Sequence, residues 1–510
     1  MNAVVRTLVY SALIALIPIF SYAQDLVLSH TIKLKSGLTD NREAYPIINE
    51  ATGKVCLVLM DKSSVTAMLL NKDMQVEKEL SEPIPVGSTK NNLSNPVGNF
   101  CDGNSFFLVG EKGYKSDLHY EFLQIDFEKA QITFHERWKM EISPEETILS
   151  TFSQKGKFYT ITIFKKFPTL RVYEISKMGG PKITAIELPE DIALSSKHKD
   201  LIKYLRKEVN SFEMIPQDAS AGSLAVTVKR HKLYPQAGEW FLSIDKVGGA
   251  THLLNINLDN NRFDYSKIDY PNVKCTASTD ASFPANDGNS FLFKNQLFQI
   301  NICSAEAQIK ISDVNSKEII KTYGFTRRDS ITFKNGPIAF KKERSNRDNK
   351  ETELKTSSDL LSKMLEYNVA IAARQNKEAQ LEMIVGAYYL YVPSSGGAPV
   401  FMPGTPGIST PYGNVPGTAG SWRFNPTYGS VKSTGLARIV SFKSILKQDN
   451  LEHLPVEPTT DIYDDLQNDI EIKFEDKEFR AETVFWFNNA FYFGVYNKDN
   501  EQYALYRYGE

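Results

Sequence analysis

The amino-acid sequence predicts an all-β protein built from repeated antiparallel units, and three observations lead there. A Gly- or Asn-containing turn followed by an apolar, aromatic-rich strand recurs as "ATGKVCLVLMD", "CDGNSFFLVGE", "QKGKFYTITIF", "SAGSLAVTVKR", "NDGNSFLFKNQ", "KNGPIAFKK" and "FNNAFYFGVYN". The glycines of the first six starts, Gly53, Gly103, Gly156, Gly222, Gly288 and Gly336, lie roughly 50 to 65 positions apart, the interval of a supersecondary repeat. Further strands follow most starts, as in "HYEFLQIDFEKAQITFHERW" and "QIKISDVNSKEIIKTYGF". Two starts are nearly identical: "DGNSFFLV" from Asp102 and "DGNSFLFK" from Asp287. They are expected to be equivalent turns, with Gly supplying positive φ, Ser leading into the strand and Phe entering the core.

In chain order, the first element is a leader. Arg6, the apolar run "LVYSALIALIPIF" and "SYA" ending at Ala23 form the three-part pattern of a secretory signal over residues 1–23. The run is shorter than the about 20 residues a membrane span needs. The mature chain, residues 24–510, is therefore expected to be exported, without a transmembrane segment, and periplasmic, cell-surface or secreted.

The strand, loop, strand, polar turn, strand rhythm of the mature chain resembles that of a β-propeller, whose sheets close radially and leave only short edges. The resemblance is one of architecture: no WD dipeptide and no kelch glycine pair recurs. It implies a β-propeller of about six to seven blades with short helical decorations. The stretches "DLVLSHTIKL" and "YALYRYG" at the two ends of the mature chain both read as strands, which a ring closed by pairing its terminal strands, as propellers often are, would place in one blade. The alternative is two β-sandwich or barrel domains.

Three stretches interrupt the rhythm. Within residues 345–394, Thr356 and Asp359 have N-cap spacing ahead of Leu360, Leu361, Met364 and Leu365, which predicts a short helix. Alternation at Val369, Ile371 and Ala373, then at Leu381, Met383 and Val385, predicts a hairpin after it. A second helix is expected in "SSKHKDLIKYLRKEV". Residues 395–432, "SGGAPVFMPGTPGISTPYGNVPGTAGSWRFNPTYGSVK", are too rich in Gly and Pro for a helix or central strand and predict a flexible insertion.

Composition narrows the function. With 59 basic and 61 acidic residues the chain has no charge bias toward nucleic acid, and its basic clusters are short and interrupted. Cys56, Cys101, Cys275 and Cys303 allow three pairings; Cys275 and Cys303, which flank the second DGNSF stretch, are the disulfide candidate. "HERWK" at His135 lacks the second His of a zinc helix, and no GxSxG or phosphate-binding Gly loop occurs, so no metal and no cofactor is expected. "SIDKVGGATHLL" at Ser243 is similar to the Asp-box of sialidase-type propellers, with two extra residues after Asp245 and His252 in place of Trp. In that family the box is a structural turn, and the resemblance implies the same here.

The aromatic residues of the insertion have no local core. Phe401, Tyr412, Trp422 and Tyr428, with Phe424 among them, are the expected binding residues, since exposed aromatics are common anchors. The functional expectation is an exported, non-catalytic binding or scaffolding protein of the cell envelope, with an envelope protein or glycan as partner. The alternative is a glycan-active enzyme with paired carboxylates at the channel mouth.

Overall fold

In the computed structural model the described residues form seven sheets of four or five strands, arranged as the blades of a β-propeller, plus one two-stranded hairpin. The structure describes residues 25–509 except 36–41, 62, 84–92, 94, 113–118, 139, 141, 165, 189–204, 206–211, 217, 237, 246–248, 261, 275–286, 343–349, 392–408, 411–412, 415–423, 432–435, 460 and 475–478.

Blade 1 consists of Glu43–Asn49, Lys54–Met60, Ser64–Leu70 and Val76–Pro83. Blade 2 consists of Pro96–Asp102, Ser105–Lys112, His119–Asp126 and Gln131–Trp138. Blade 3 follows with Glu146–Gln154, Lys157–Phe164, Thr169–Ile175 and Lys182–Glu187. Blade 4 contains His231–Pro235, Glu239–Ile244, Ala250–Asn257 and Arg262–Asp269, with Glu213–Met214 bridged to its first strand in parallel. Blade 5 is Asp287–Phe293, Gln296–Ile302, Glu306–Asp313 and Ile319–Thr326.

In these blades the chain starts on an inner strand and works outward. In blade 1 the first strand is buried at five of its seven positions, whereas the fourth has no buried residue. Tight turns set the hairpins. Lys155 and Gly156 both have positive φ in the first hairpin of blade 3, as Asn488 and Asn489 do in blade 7, the backbone that two-residue hairpin loops prefer. The end of a blade where the inner strand begins is termed its upper face, the opposite end its lower face.

Blade 7 closes the ring with both ends of the chain. Phe479–Phe487, Ala490–Asn497 and Gln502–Tyr508 are joined by Asp25–Thr31 as the outer strand, with Asp25 opposite Arg507. The expected sharing of one blade by the terminal strands holds. Two separate β-sandwiches are ruled out, because each inner apolar cluster joins consecutive blades. Leu57 and Met68 of blade 1 pack with Phe485 and Tyr492 of blade 7, and Cys56 and Val58 pack with Phe106 and Leu123 of blade 2. Phe107 and Tyr120 of blade 2 meet Phe158 of blade 3, and Phe152 of blade 3 packs edge-on against Trp240 of blade 4. Blades 4, 5 and 6 share one further cluster.

Blade 6 has a different strand order. The chain enters at Asn335–Lys342, second from the outside, continues to the outermost Lys350–Leu354, and only then reaches the inner strand Asn368–Gln375. Leu381–Tyr391 and Leu436–Leu446 complete it. Among the described residues four helices accompany the blades: α1 (Leu224–Thr227), α2 (Ser357–Glu366), α3 (Pro426–Val431) and α4 (Ile462–Lys473). The predicted helix and hairpin are both present: α2 is capped by Thr356, whose side chain accepts from the Asp359 N–H, and it carries the chain to the inner strand. The second predicted helix falls, except for Leu205, outside the described residues.

Two expectations are corrected. Gly222 does not start a strand; it ends a 3-10 turn, Ala219–Gly222, that leads into α1. A Cβ on Gly222 would sit 2.8 Å from Arg374 Cδ, and Leu224 and Ala225 bury themselves against Ala370 and Ala372, so packing overrides the strand propensity of "SLAVTV". The two DGNSF stretches are also not equivalent. Gly103 has φ +58 in the lower hairpin of blade 2, whereas Asp287–Phe293 is itself the inner strand of blade 5, with Gly288 paired to Asn301.

Between blades 6 and 7 the packing runs through helices. α1 covers the inner face of blade 6, α4 and α3 cover blade 7 through Val431, Tyr463, Leu466 and Phe474, and the helices touch each other.

Candidate functional site

Two buried polar clusters and the ring axis are the places where the fold gathers chemistry. The first cluster joins blades 4 and 5 near the upper face. Lys232, on the inner strand of blade 4, is fully buried and its Nζ donates to Asp245 Oδ2 at 3.0 Å and Asn289 Oδ1 at 2.7 Å. Asp245 Oδ1 accepts from Thr251 Oγ and Tyr270 OH, each at 2.8 Å, and Oδ2 also accepts from Ser290 N–H and Oγ. Asn289 spends its amide on the Val228 and Val369 carbonyls, reaching blade 6. Arg230 grips both oxygens of Asp287 at 2.7 and 2.8 Å and donates to the Gly288 carbonyl.

The electrostatics follow from this geometry. Burial alone pushes the Asp245 carboxyl up, but the Lys232 charge and donors from Tyr270, Ser290 and Thr251 outweigh it and hold it below the ordinary carboxylate range. Burial lowers Lys232, with Asp245 opposing. Burial also drives His231 down to about 4, which keeps the ring neutral at physiological pH. The Asp245 carboxylate takes five hydrogen bonds and the fully buried Lys232 ammonium gives two, so each charge is compensated inside the protein. This is a clamp between blades 4 and 5, and residues 246–248 of the Asp-box-like stretch lie outside the described residues.

The second cluster lies near the lower face, where blade 6 meets α4. Arg374, buried at the end of the inner strand, donates through Nε to Glu382 Oε1 at 2.8 Å and through Nη2 to Asp464 at 3.1 and 3.3 Å. Asp461, at the N-cap of α4, lies 3.4 Å from Arg374 Nε, and Lys443 adds a contact to Asp464 at 2.8 Å. Arg374 and Lys443 together outweigh burial and hold Asp464 below its ordinary range. The cluster fixes α4 to blade 6 from the side opposite its apolar packing on blade 7.

Four carboxylates of the inner strands are tied locally. Glu146 takes hydrogen bonds from Thr162, Tyr173 and Arg171, Glu43 from Tyr45, Asp287 from Arg230, and Glu482 from Tyr428 at 3.4 Å. Among the described residues no group of three or more His, Cys, Asp or Glu is placed to hold a metal ion. His135 forms a cross-strand contact with Gln124 at 2.8 Å.

The expected binding residues separate. Phe401, Tyr412 and Trp422 lie outside the described residues, as does Cys275, while Cys303 is buried after the second strand of blade 5. Tyr428 is corrected: it packs in the apolar cluster of blade 7 and α4 rather than facing a partner, and burial together with Glu482 pushes its hydroxyl well up. Phe424 is likewise buried, edge-on to Tyr45 of blade 1 with centroids 5.0 Å apart. Asn425 donates to the Val484 carbonyl of blade 7 at 2.7 Å, and Thr427 to Asp218 at 2.6 Å. Ser223 and Tyr463 both donate to the Ser430 carbonyl. Residues 424–431 of the insertion are therefore an ordered root, touching the inner strands of blades 1 and 7 and the turn before α1. No local pattern in the sequence encodes these partners, which come from four distant segments; the aromatic density was the single visible sign that something had to be buried.

No known protein family matches the chain, and no curated protein matches it. Solved structures align over part of its length at low similarity. A cobalt-substituted Synechocystis ACO aligns at 8% identity and TM-score 0.27 over 57% of this chain and 62% of that one. A structure from a study of two prolyl endopeptidases aligns at 9% and 0.26, over 72% and 48%. A puromycin-hydrolysing peptidase of Mycobacterium tuberculosis aligns at 9% and 0.26, over 68% and 43%. The chain thus spans less than two thirds of each of these proteins.

Proposed function

We propose that the protein is an exported, non-catalytic binding or scaffolding β-propeller of the cell envelope, whose insertion between Tyr391 and Leu436 is its contact element. One observation carries this reading: the insertion is held at both ends. Tyr391 and Leu436 pair with each other on the upper face of blade 6, and residues 424–431 are bonded to blades 1 and 7 beside the axis. Both described ends of the insertion are thus tied to the ring, and Phe401, Tyr412 and Trp422 lie in the sequence between them. The four inner-strand acids named above already have partners, which favours binding over glycan cleavage by paired carboxylates.

The test is a pair of deletions. Removing 395–421 and keeping the root should leave thermal unfolding within about 2 °C of the parent, as expected where no core is lost, while abolishing crosslinked capture of an envelope protein or glycan. Capture that survives this deletion, or glycan hydrolysis by the purified protein, would overturn the proposal.

A further inference from the structure

Four cysteines permit three pairings, and the ring removes two of them. Cys56 lies on the second strand of blade 1 and Cys101 on the inner strand of blade 2. Cys303 follows the second strand of blade 5, with blades 3 and 4 between it and Cys101 on one side and blades 6 and 7 between it and Cys56 on the other. A disulfide needs Cα atoms within about 7 Å, so Cys303 can join neither without dismantling the ring.

Cys56 and Cys101, by contrast, face the same layer. Both belong to the apolar cluster between blades 1 and 2. Cys101 Sγ lies 3.9 Å from the carbonyl oxygen of Ile48, and the neighbouring Ile47 is the cross-strand partner of Cys56. An adjacent bond spans the same seam: Asn49 of blade 1 donates to the Gly103 carbonyl of blade 2 at 3.0 Å. Burial raises both thiols, Cys101 to about 12, and the charge of Cys101 raises Cys56 further, so in the folded state neither is a reactive thiolate.

From this placement we infer that Cys56 and Cys101 are a disulfide-forming pair that covalently joins blades 1 and 2 when the chain folds in an oxidising compartment. A disulfide-bearing oxidant accepts attack by one cysteine thiolate, giving a mixed disulfide and releasing one thiol of the oxidant. The second cysteine thiolate then attacks the protein sulfur of that mixed disulfide and expels the other thiol. Two S–H bonds of the protein are exchanged for one S–S bond, and the oxidant is reduced to a dithiol. Because burial silences both thiols afterwards, the exchange belongs to folding.

The compartment comes from the proposed export, so the decisive experiment is done on purified protein. The reduced, unfolded mature chain is refolded with oxidised and reduced glutathione, alkylated, digested without reductant and mapped by mass. The expected result is one peptide pair containing Cys56 and Cys101, with the oxidised protein unfolding at a higher temperature than the reduced one and this difference lost in both Cys56→Ser and Cys101→Ser. Alkylation of both cysteines in the refolded protein, or linkage of either to Cys303 or Cys275, would overturn the inference. If either Ser variant fails to fold, the mass map of the unsubstituted chain still decides. Failure here leaves export untouched, which is tested separately by the N-terminus of the protein recovered from its source.

Discussion

Residues 102–106 and 287–291 share the pentapeptide Asp-Gly-Asn-Ser-Phe and occupy opposite ends of a blade. In blade 2 the pentapeptide is a lower-face turn. Gly103 adopts φ +58 with open space around it, Asn104 reaches an exposed Glu128 at 2.6 Å, and Ser105 contacts Asp126 at 3.3 Å. In blade 5 it begins the inner strand at the upper face. There Gly288 is needed for proximity, since a Cβ would lie 2.8 Å from the Tyr270 ring, and Asp287, Asn289 and Ser290 complete the clamp with Arg230, Lys232 and Asp245. One glycine is required for its dihedral angle and the other for its missing methyl. The surroundings decide which property of a short motif is used.

The comparison can be broken most severely at the clamp. Asp245→Ala leaves the Lys232 ammonium buried without its counter-charge and should lower stability by about 3–5 kcal/mol in denaturant titration. Replacing both members with apolar residues, Lys232→Met with Asp245→Leu, should recover part of that loss.

A pH titration separates the two ends next. The folded-state value of His231 is depressed to about 4 from an ordinary 6.5, so between these values the unfolded chain binds a proton that the folded chain refuses. Stability should therefore fall as pH drops from about 6.5 to 4, by on the order of 3 kcal/mol, and His231→Gln should flatten that slope. Below this window Asp245, whose folded value is depressed, adds a further loss as it protonates.

The glycines sharpen the contrast. Gly288→Ala should cost about 1–3 kcal/mol through overpacking against Tyr270. Gly103→Ala meets no atom and should cost only about 1–2 kcal/mol, for the left-handed backbone. Smallest of all, Asn104→Ala at the exposed turn should stay within about 0.5 kcal/mol of the parent, whereas Asn289→Ala, which strips Lys232 of an acceptor, should cost about 1–3 kcal/mol.

The architecture was legible where local chemistry decides it. Apolar strands behind glycine turns, the Thr356 cap and the hairpin from Asn368 all follow from rules that act within a few residues. What the sequence hid was set by distant contacts. Gly222 looks like a strand start until Arg374 is laid over it, and Tyr428 looks like a surface anchor until α4 and blade 7 enclose it. The reordered strands of blade 6 leave no trace in periodicity, because an outer strand placed early and one placed late have the same pattern. The clamp was half visible: the Asp-box resemblance marked Asp245 as structural, but its partner Lys232 lay in a basic stretch indistinguishable from surface.

The seam in blade 7 sets a timetable. Ser29 and Gln502, in contact across the outermost pair of strands, are 473 residues apart, so the first strand to be made is among the last to be placed. Until Gln502–Tyr508 arrives, Asp25–Thr31 has no partner in its own blade and the inner blades stand as an open stack with an unpaired edge. Contacts of such high sequence separation slow folding and prolong the interval in which other chains can pair with that edge. The same few hydrogen bonds that finish the ring therefore also determine how long the nascent protein must be shielded from its neighbours.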